Sequence, residues 1–158
     1  MQAYYSLCQS LFLYGNLGWG GTHKTTLLRL ITTQKLILKI IFNKPRRYSS
    51  SQLFLESGVL DVRKLYVKSV LVHFKQNPRN VQIRPHDHNT RTRSFCLPPR
   101  MNKCFGQRHY VFLGPKFFNS LPPESKIIIS KTKFKNSVHI WLQGMDSEAT
   151  ENLFVVLV

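Results

Sequence analysis

Apolar and polar positions recur with helical period over three stretches of the chain. In residues 24–43, plotted at about 100° per residue, Leu27, Leu30, Ile31, Ile37, Leu38 and Ile41 share one face, and Lys24, Lys35 and Lys39 share another. The spacing predicts an amphipathic helix with Thr22 as its N-cap. Pro45 is its expected stop, because proline has no N–H and clashes with the preceding turn. Gln34 falls in the middle of the apolar face, where an amide needs partners to offset desolvation. The expectation there is core packing with a local hydrogen bond. A second helix is predicted over "LDVRKLYVKSVLVHF", with Asp61 as N-cap, Val62, Leu65, Tyr66 and Val72 near one face, and Lys64, Lys68 and Lys75 on another. His73 lies beside that apolar face with Asn77, not a second ligand, at i+4, so it reads as a core or boundary histidine. The third stretch, capped by Ser130, runs over 131–143 and spaces Phe134, Val138, Trp141 and Leu142 for one buried face.

Between these stretches the pattern is weaker. Residues 3–14 suit a short, largely buried helix ended by Gly15 and the cluster Gly18, Gly20 and Gly21. "RRYSSSQ" reads as a polar, basic linker. From Asn77 to Pro115 the period fades and prolines alternate with arginines; "RHYVFLGP" is rich enough in aromatic and β-branched residues for a strand, and "KFFNSLPPE" for a helical turn broken at Pro122 and Pro123. The end, "ENLFVVLV", is an edge strand or an exposed apolar tail. The expected fold is mainly α: a small helical bundle over 1–76, a basic loop-rich region with short strands and a C-terminal helix over 77–143, and an acidic and apolar tail over 144–158.

Charge narrows the partner class. Lys and Arg number 23 against 7 Asp and Glu, a formal charge of +16, in a chain of 158 residues that is 42% apolar. Such self-repulsion is relieved by a polyanion or an anionic surface, and nucleic acid is the leading partner. The imbalance is directed: Lys24, Arg29, Lys35, Lys39, Lys44, Arg46 and Arg47 precede the first acid, Glu56, and no Lys or Arg follows Lys135. Three cysteines without repeated spacing fit a reducing compartment. The N-terminal apolar stretch lacks a cationic n-region, and "LILKIIF" is too short to span a bilayer, so the expectation is an intracellular protein of nucleus or cytoplasm, not secreted and not in a membrane.

The stretch "PHDHNTRTRSF", residues 85–95, holds His86, Asp87 and His88 and raises the question of a metal site. With Cys96, Cys104 and His109 the ligand types are present, but H-x-H followed by two gaps of seven residues does not match the short paired spacings of structural zinc. No metal or other cofactor is expected. The seven acids offer no carboxylate pair with a neighbouring base, and "GWGGTHKTT" lacks the G-x4-G-K-[ST] spacing of a phosphate loop. Backbone binding has firmer physics: Arg79, Arg84, Arg91, Arg93, Arg100, Lys103, Arg108 and Lys116 are interleaved with Phe95, Phe105, Tyr110 and Phe112. Cations neutralise phosphates, and the aromatics are expected in the core. Asn89 and Thr90 are expected to form turn hydrogen bonds, and Arg91 and Arg93 to reach phosphate.

Five blocks in order over residues 4–143 resemble the C-terminal part of the reverse transcriptase of jockey-like non-LTR retrotransposons. Tyr5, Leu11, Tyr14, Gly15, Trp19 and Gly20 match its Y-G-x-x-x-W-G block, and Gln34, Lys35, Lys39, Ile40 and Ile41 its L-Q-K segment. Leu53, Phe54, Leu60, Leu65 and Tyr66 match an L-F…L-Y segment. His86, His88, Asn89, Thr90 and Arg91 match an H-x-Y/H-N-T-R box, and Gly114, Pro115, Asn119, Leu121 and Pro122 fall in a G-P-K-L-W-N-S-L-P box. Phe118 stands where the family has Trp, and Ser125 where it has an aliphatic residue. The resemblance implies a helical thumb and the region after it, which hold the template–primer duplex behind the polymerase site. The palm's F/Y-x-D-D box is absent, as no D-D pair occurs in the chain, so it implies a truncated fragment that does not polymerise. The contacts it suggests are Lys35, Lys39, Lys64 and Lys68 from helices, and Arg46, Arg47, Arg91 and Arg93 from loops. The rival expectations are an inactive relic and a small autonomous RNA-binding protein.

Overall fold

A computed structural model describes residues 1–77, 82–83 and 96–155. It is mainly helical, as the periodicity predicts. The chain divides into two compact units, residues 1–66 and 67–158. The division falls inside the second long helix, ten residues before the boundary expected from sequence.

The first unit opens with a π-helical segment, Tyr4–Gln9, that continues as α1, Ser10–Leu13. The glycine cluster is not a plain turn: it holds a short helix, α2, Asn16–Trp19. Gly15 makes the reversal between them at φ 61, where a Cβ is strained, and the Trp19 indole N–H donates to the Tyr14 carbonyl at 2.9 Å, locking the turn. Gly20 lies against the Tyr66 ring; a Cβ there would stand 2.7 Å from the Asn16 carbonyl oxygen.

The long helix α3 spans Lys24–Ile41, and both of its ends differ from expectation. His23, not Thr22, is the N-cap, without a side-chain cap bond. The Thr22 hydroxyl is buried with no partner, and its carbonyl accepts from Arg63 Nη1 at 2.7 Å. At the C-terminus the helix closes before Pro45. Asn43 takes φ 49 and donates to the Ile40 carbonyl (3.1 Å), while Lys44 donates to the Lys39 carbonyl (2.8 Å), the double bond pattern of a Schellman cap. "RRYSSSQ" is only half linker, because α4, Ser50–Ser57, begins within it and ends at Gly58, φ 65.

Tyr4, Leu38, Leu53 and Val59 form the core of this unit, with Ile37, Phe42 and Phe54 packed on it. Gln34 is fully buried inside, as its position predicts, but its bonds are long-range, not local. Its Nε2 donates to Tyr4 Oη (2.8 Å) and to the Leu60 carbonyl (2.9 Å), and its Oε1 accepts from the Val62 N–H (3.1 Å). Asp61 caps α5, Val62–Gln76, through Oδ1 and the Lys64 N–H at 2.8 Å, as predicted.

In the second unit, β1, Gln82–Ile83, and β2, Cys96–Leu97, pair antiparallel. The segment expected as a strand at 108–115 is helical from Tyr110 onward, with His109 as N-cap. After α6, Cys104–Gln107, α7 runs Tyr110–Asn119 and buries Leu113 and Phe117 one turn apart. Helical spacing outweighs β propensity here, and Pro115 sits inside the helix at the loss of one bond. The break at Pro122 and Pro123 stands as expected, with Pro123 opening α8, Pro123–Ile127, at a position where its missing N–H costs nothing. Helix α9, Lys131–Gln143, buries Phe134, Val138 and Leu142. A last helix, α10, Ser147–Asn152, is capped by Asp146. Within "ENLFVVLV", the described residues 151–155 form no strand, and Phe154 is buried against Phe117.

Candidate nucleic-acid interface

Two of the candidate cations meet at the C-terminus of α3. Lys39 is half-buried and its ammonium donates to the Arg46 carbonyl at 2.6 Å, which fixes the start of the following loop. Arg46 and Arg47 are exposed in that loop, and Lys35 is half-buried one turn back on the same flank of α3. Lys24 and Arg29 are exposed towards the other end. A cation in the last turn is also favoured by the negative end of the helix dipole.

The acids nearby are already engaged. Glu56 pairs with Lys44 at 2.8 Å and accepts from the Tyr48 hydroxyl, while the Lys44 ammonium lies 4.5 Å from the Tyr48 ring centroid. The bond to Lys44, aided by Tyr48, holds the Glu56 carboxyl below its usual range, and the same bond raises Lys44. Asp61 is spent on the α5 cap.

The lysines of α5 are placed differently. Lys64 is half-buried. Lys68 is half-buried with Nζ 3.3 Å from His139 Nδ1, and burial, with Lys135 adding to it, holds its ammonium below the ordinary lysine pKa. Lys75 donates to the Lys126 carbonyl at 3.0 Å and lies 4.2 Å from the Phe134 centroid, and burial lowers it too. The side predicted as an open basic face of this helix is therefore partly turned inward. Arg91 and Arg93, with His86, Asn89, Thr90, Arg79 and Arg84, lie outside the described residues.

The remaining motif positions hold the fold. Tyr14, Gly15 and Trp19 build the turn after α1. A Cβ on Gly114 would stand 2.9 Å from the Phe74 ring, so glycine there lets α7 approach α5. Asn119 donates to the Cys96 carbonyl (2.8 Å) and accepts from its N–H (2.9 Å), replacing a neighbouring strand for β2. Pro115 and Leu121 are buried, and Pro122 is the N-cap of α8. Ser125 is buried with its hydroxyl 2.7 Å from that of Ser137.

Lys131, Lys133 and Lys135 of α9, none of them among the cations expected to bind, are all exposed. The signal was available, since they fall off the Phe134–Val138–Leu142 face. Of the interleaved aromatics, Phe105 is 85% exposed, contrary to the core placement expected, while Tyr110 packs edge-on to His73 at 5.0 Å. That contact makes His73 the boundary histidine its position suggests. Among the described residues no three His, Cys, Asp or Glu gather as metal ligands, and no helix is long and apolar enough to cross a membrane. No protein-family model, curated protein or solved structure matches the chain.

Proposed function

We propose that the chain binds nucleic-acid backbones without sequence preference, in the manner expected of the thumb and following region of a jockey-like non-LTR retrotransposon reverse transcriptase. In this reading it grips a template–primer duplex in nucleus or cytoplasm and performs no polymerisation itself. The observation that carries it is the state of the acids in the first unit. Glu56 and Asp61 are both committed internally, while Lys24, Arg29, Arg46 and Arg47 stand exposed. Over the whole sequence, even complete pairing of all 7 acids would leave a formal charge of +16 uncompensated. Phosphate is the abundant partner for such a surface. The test is binding of duplex DNA and of an RNA–DNA hybrid between about 50 and 200 mM salt, where neutralising several phosphates costs orders of magnitude in affinity. Affinity that does not change with salt overturns the reading.

A second reading, an inert relic of the same family region, has its own observation. Leu7, Leu11, Tyr14 and Ile40 are 67, 74, 85 and 79% exposed. Apolar exposure on this scale marks a surface that a partner would cover. A chain that melts without a cooperative transition and binds no nucleic acid supports the relic.

A further inference from the structure

Between α8 and α9 lies an open groove of about 500 Å³, a volume within the range of small-molecule and nucleotide sites. One wall is a single stripe of α9, Lys133, Asn136, Ser137, Ile140 and Trp141, at i, i+3, i+4, i+7 and i+8. Pro122, Glu124 and Ser125 form the other. Ser125 and Ser137 join the two walls through a hydrogen bond between their hydroxyls at 2.7 Å, and the surface that the groove offers is mostly apolar. The stripe is graded: a cation and an amide at one end, an isoleucine and a half-exposed indole at the other. Eight residues of helix separate Lys133 from Trp141, about 12 Å along the axis.

We propose that this groove is a binding site for single-stranded nucleic acid, taking a base against Trp141 and a neighbouring phosphate at Lys133. The proposal rests on the reading above, that the chain binds nucleic-acid backbones, and adds to the duplex a single-stranded segment held in this groove. A ligand for the groove needs a flat apolar part and an anionic part joined over that distance, and an unpaired nucleotide with its neighbour's phosphate supplies both. A duplex does not, because its base faces are stacked away. Charge points the same way: Lys131, Lys133 and Lys135 crowd the first five positions of α9 with no acid in the first turn. The helix dipole makes that end positive already, so an arriving phosphate relieves a repulsion built into the free protein. Glu124 is the one acid in the lining. It repels phosphate but accepts from the exocyclic amino groups of bases, as carboxylates do from cytosine, and so favours an amino-bearing base in the groove.

The experiment titrates the full chain with a short oligocytidylate, an abasic strand of equal length, a duplex, and polyglutamate, following tryptophan fluorescence and affinity. The chain has two tryptophans, so Trp141→Phe leaves Trp19 as the internal reference. Oligocytidylate is expected to quench, the quenching to vanish in Trp141→Phe, and the abasic strand to bind without quenching. Trp141→Ala should bind oligocytidylate about tenfold more weakly with duplex affinity unchanged. Asn136→Ala and Lys133→Gln, at exposed positions that leave the fold intact, should weaken oligocytidylate more than duplex. Equal affinity for the abasic strand, equal quenching by polyglutamate, or an unaffected Asn136→Ala and Lys133→Gln pair overturns the site. Salt-dependent duplex binding with Trp141 unquenched by oligocytidylate sinks this proposal alone, whereas absence of binding to any strand sinks the reading beneath it as well.

Discussion

Gln34 closes three polar groups that lie 26 to 30 residues away in sequence. Gln34→Leu keeps the volume and strands the Val62 N–H and the Tyr4 hydroxyl, so stability is expected to fall by about 2–3 kcal/mol, read as a lower urea midpoint at unchanged slope. The glycines give a sharper contrast. Gly20→Ala drives a methyl onto the Asn16 carbonyl and the Tyr66 ring, neither of which yields cheaply, and should cost about 1–3 kcal/mol. Gly18→Ala meets nothing within 4 Å inside α2 and should gain about 0.5–1 kcal/mol. Equal effects from the two alanines would contradict the packing. Tyr66 carries a pH signature: burial pushes its phenol above the ordinary range, as it does for Tyr4. The unfolded chain sheds these protons near pH 10 while the fold keeps them. The stability they contribute is therefore intact below about pH 10 and lost as pH rises beyond it. Phenolate absorbance at these two positions should appear together with loss of helical dichroism, and Tyr66→Phe should flatten the alkaline slope. Full ionisation of the 6 tyrosines with the helical signal intact would refute it.

At the scale of elements, Arg46 and Arg47 stand exposed in the loop after α3, whereas Lys68 and Lys75 of α5 turn partly inward. Neutralising Lys35, Arg46 and Arg47 together should shallow the salt dependence of duplex binding by up to about 0.9 for each phosphate these side chains no longer neutralise. Lys68→Met should leave binding near neutral pH unchanged and raise stability, because it removes an ammonium that burial and Lys135 already disfavour. A drop in affinity from Lys68→Met equal to that of the triple variant would return α5 to the interface. What the sequence made legible follows the same division. The helices α3, α5 and α9 were readable because each buries one stripe at a single period, with Asp61 visible as a cap. The unread features depend on distant partners: His23 displaces Thr22 because Arg63 claims the Thr22 carbonyl, and Asn43 ends α3 before Pro45 can. The sequence of α7 suits a strand as well as a helix, because its β-branched and aromatic residues fit either state until Leu113 and Phe117 find a core. For the candidate site, exposure of Arg46 and Arg47 followed from the polar linker. The inward commitment of Lys68 to His139 did not, since no local pattern encodes a partner 71 residues away.

For the whole molecule, a charge of +16 sets two effects of salt against each other. In the free protein, salt screens repulsion among the cations, so the melting temperature should rise with salt until the Debye length falls below their spacing. With duplex present, binding to the native state alone adds stability as RT ln(1 + [L]/Kd), about 2.7 kcal/mol at a hundredfold excess over Kd. The same salt that screens the free chain weakens that binding. The two melting curves should therefore start far apart at low salt, the complex higher, and converge as salt rises, with the free-protein curve sloping upward and the complex curve downward. Parallel curves would mean that the duplex is held by something other than its phosphates. Coincident curves at low salt would mean that the exposed cations of α3 and its loop engage no duplex, and that the uncompensated charge has no duplex to answer it.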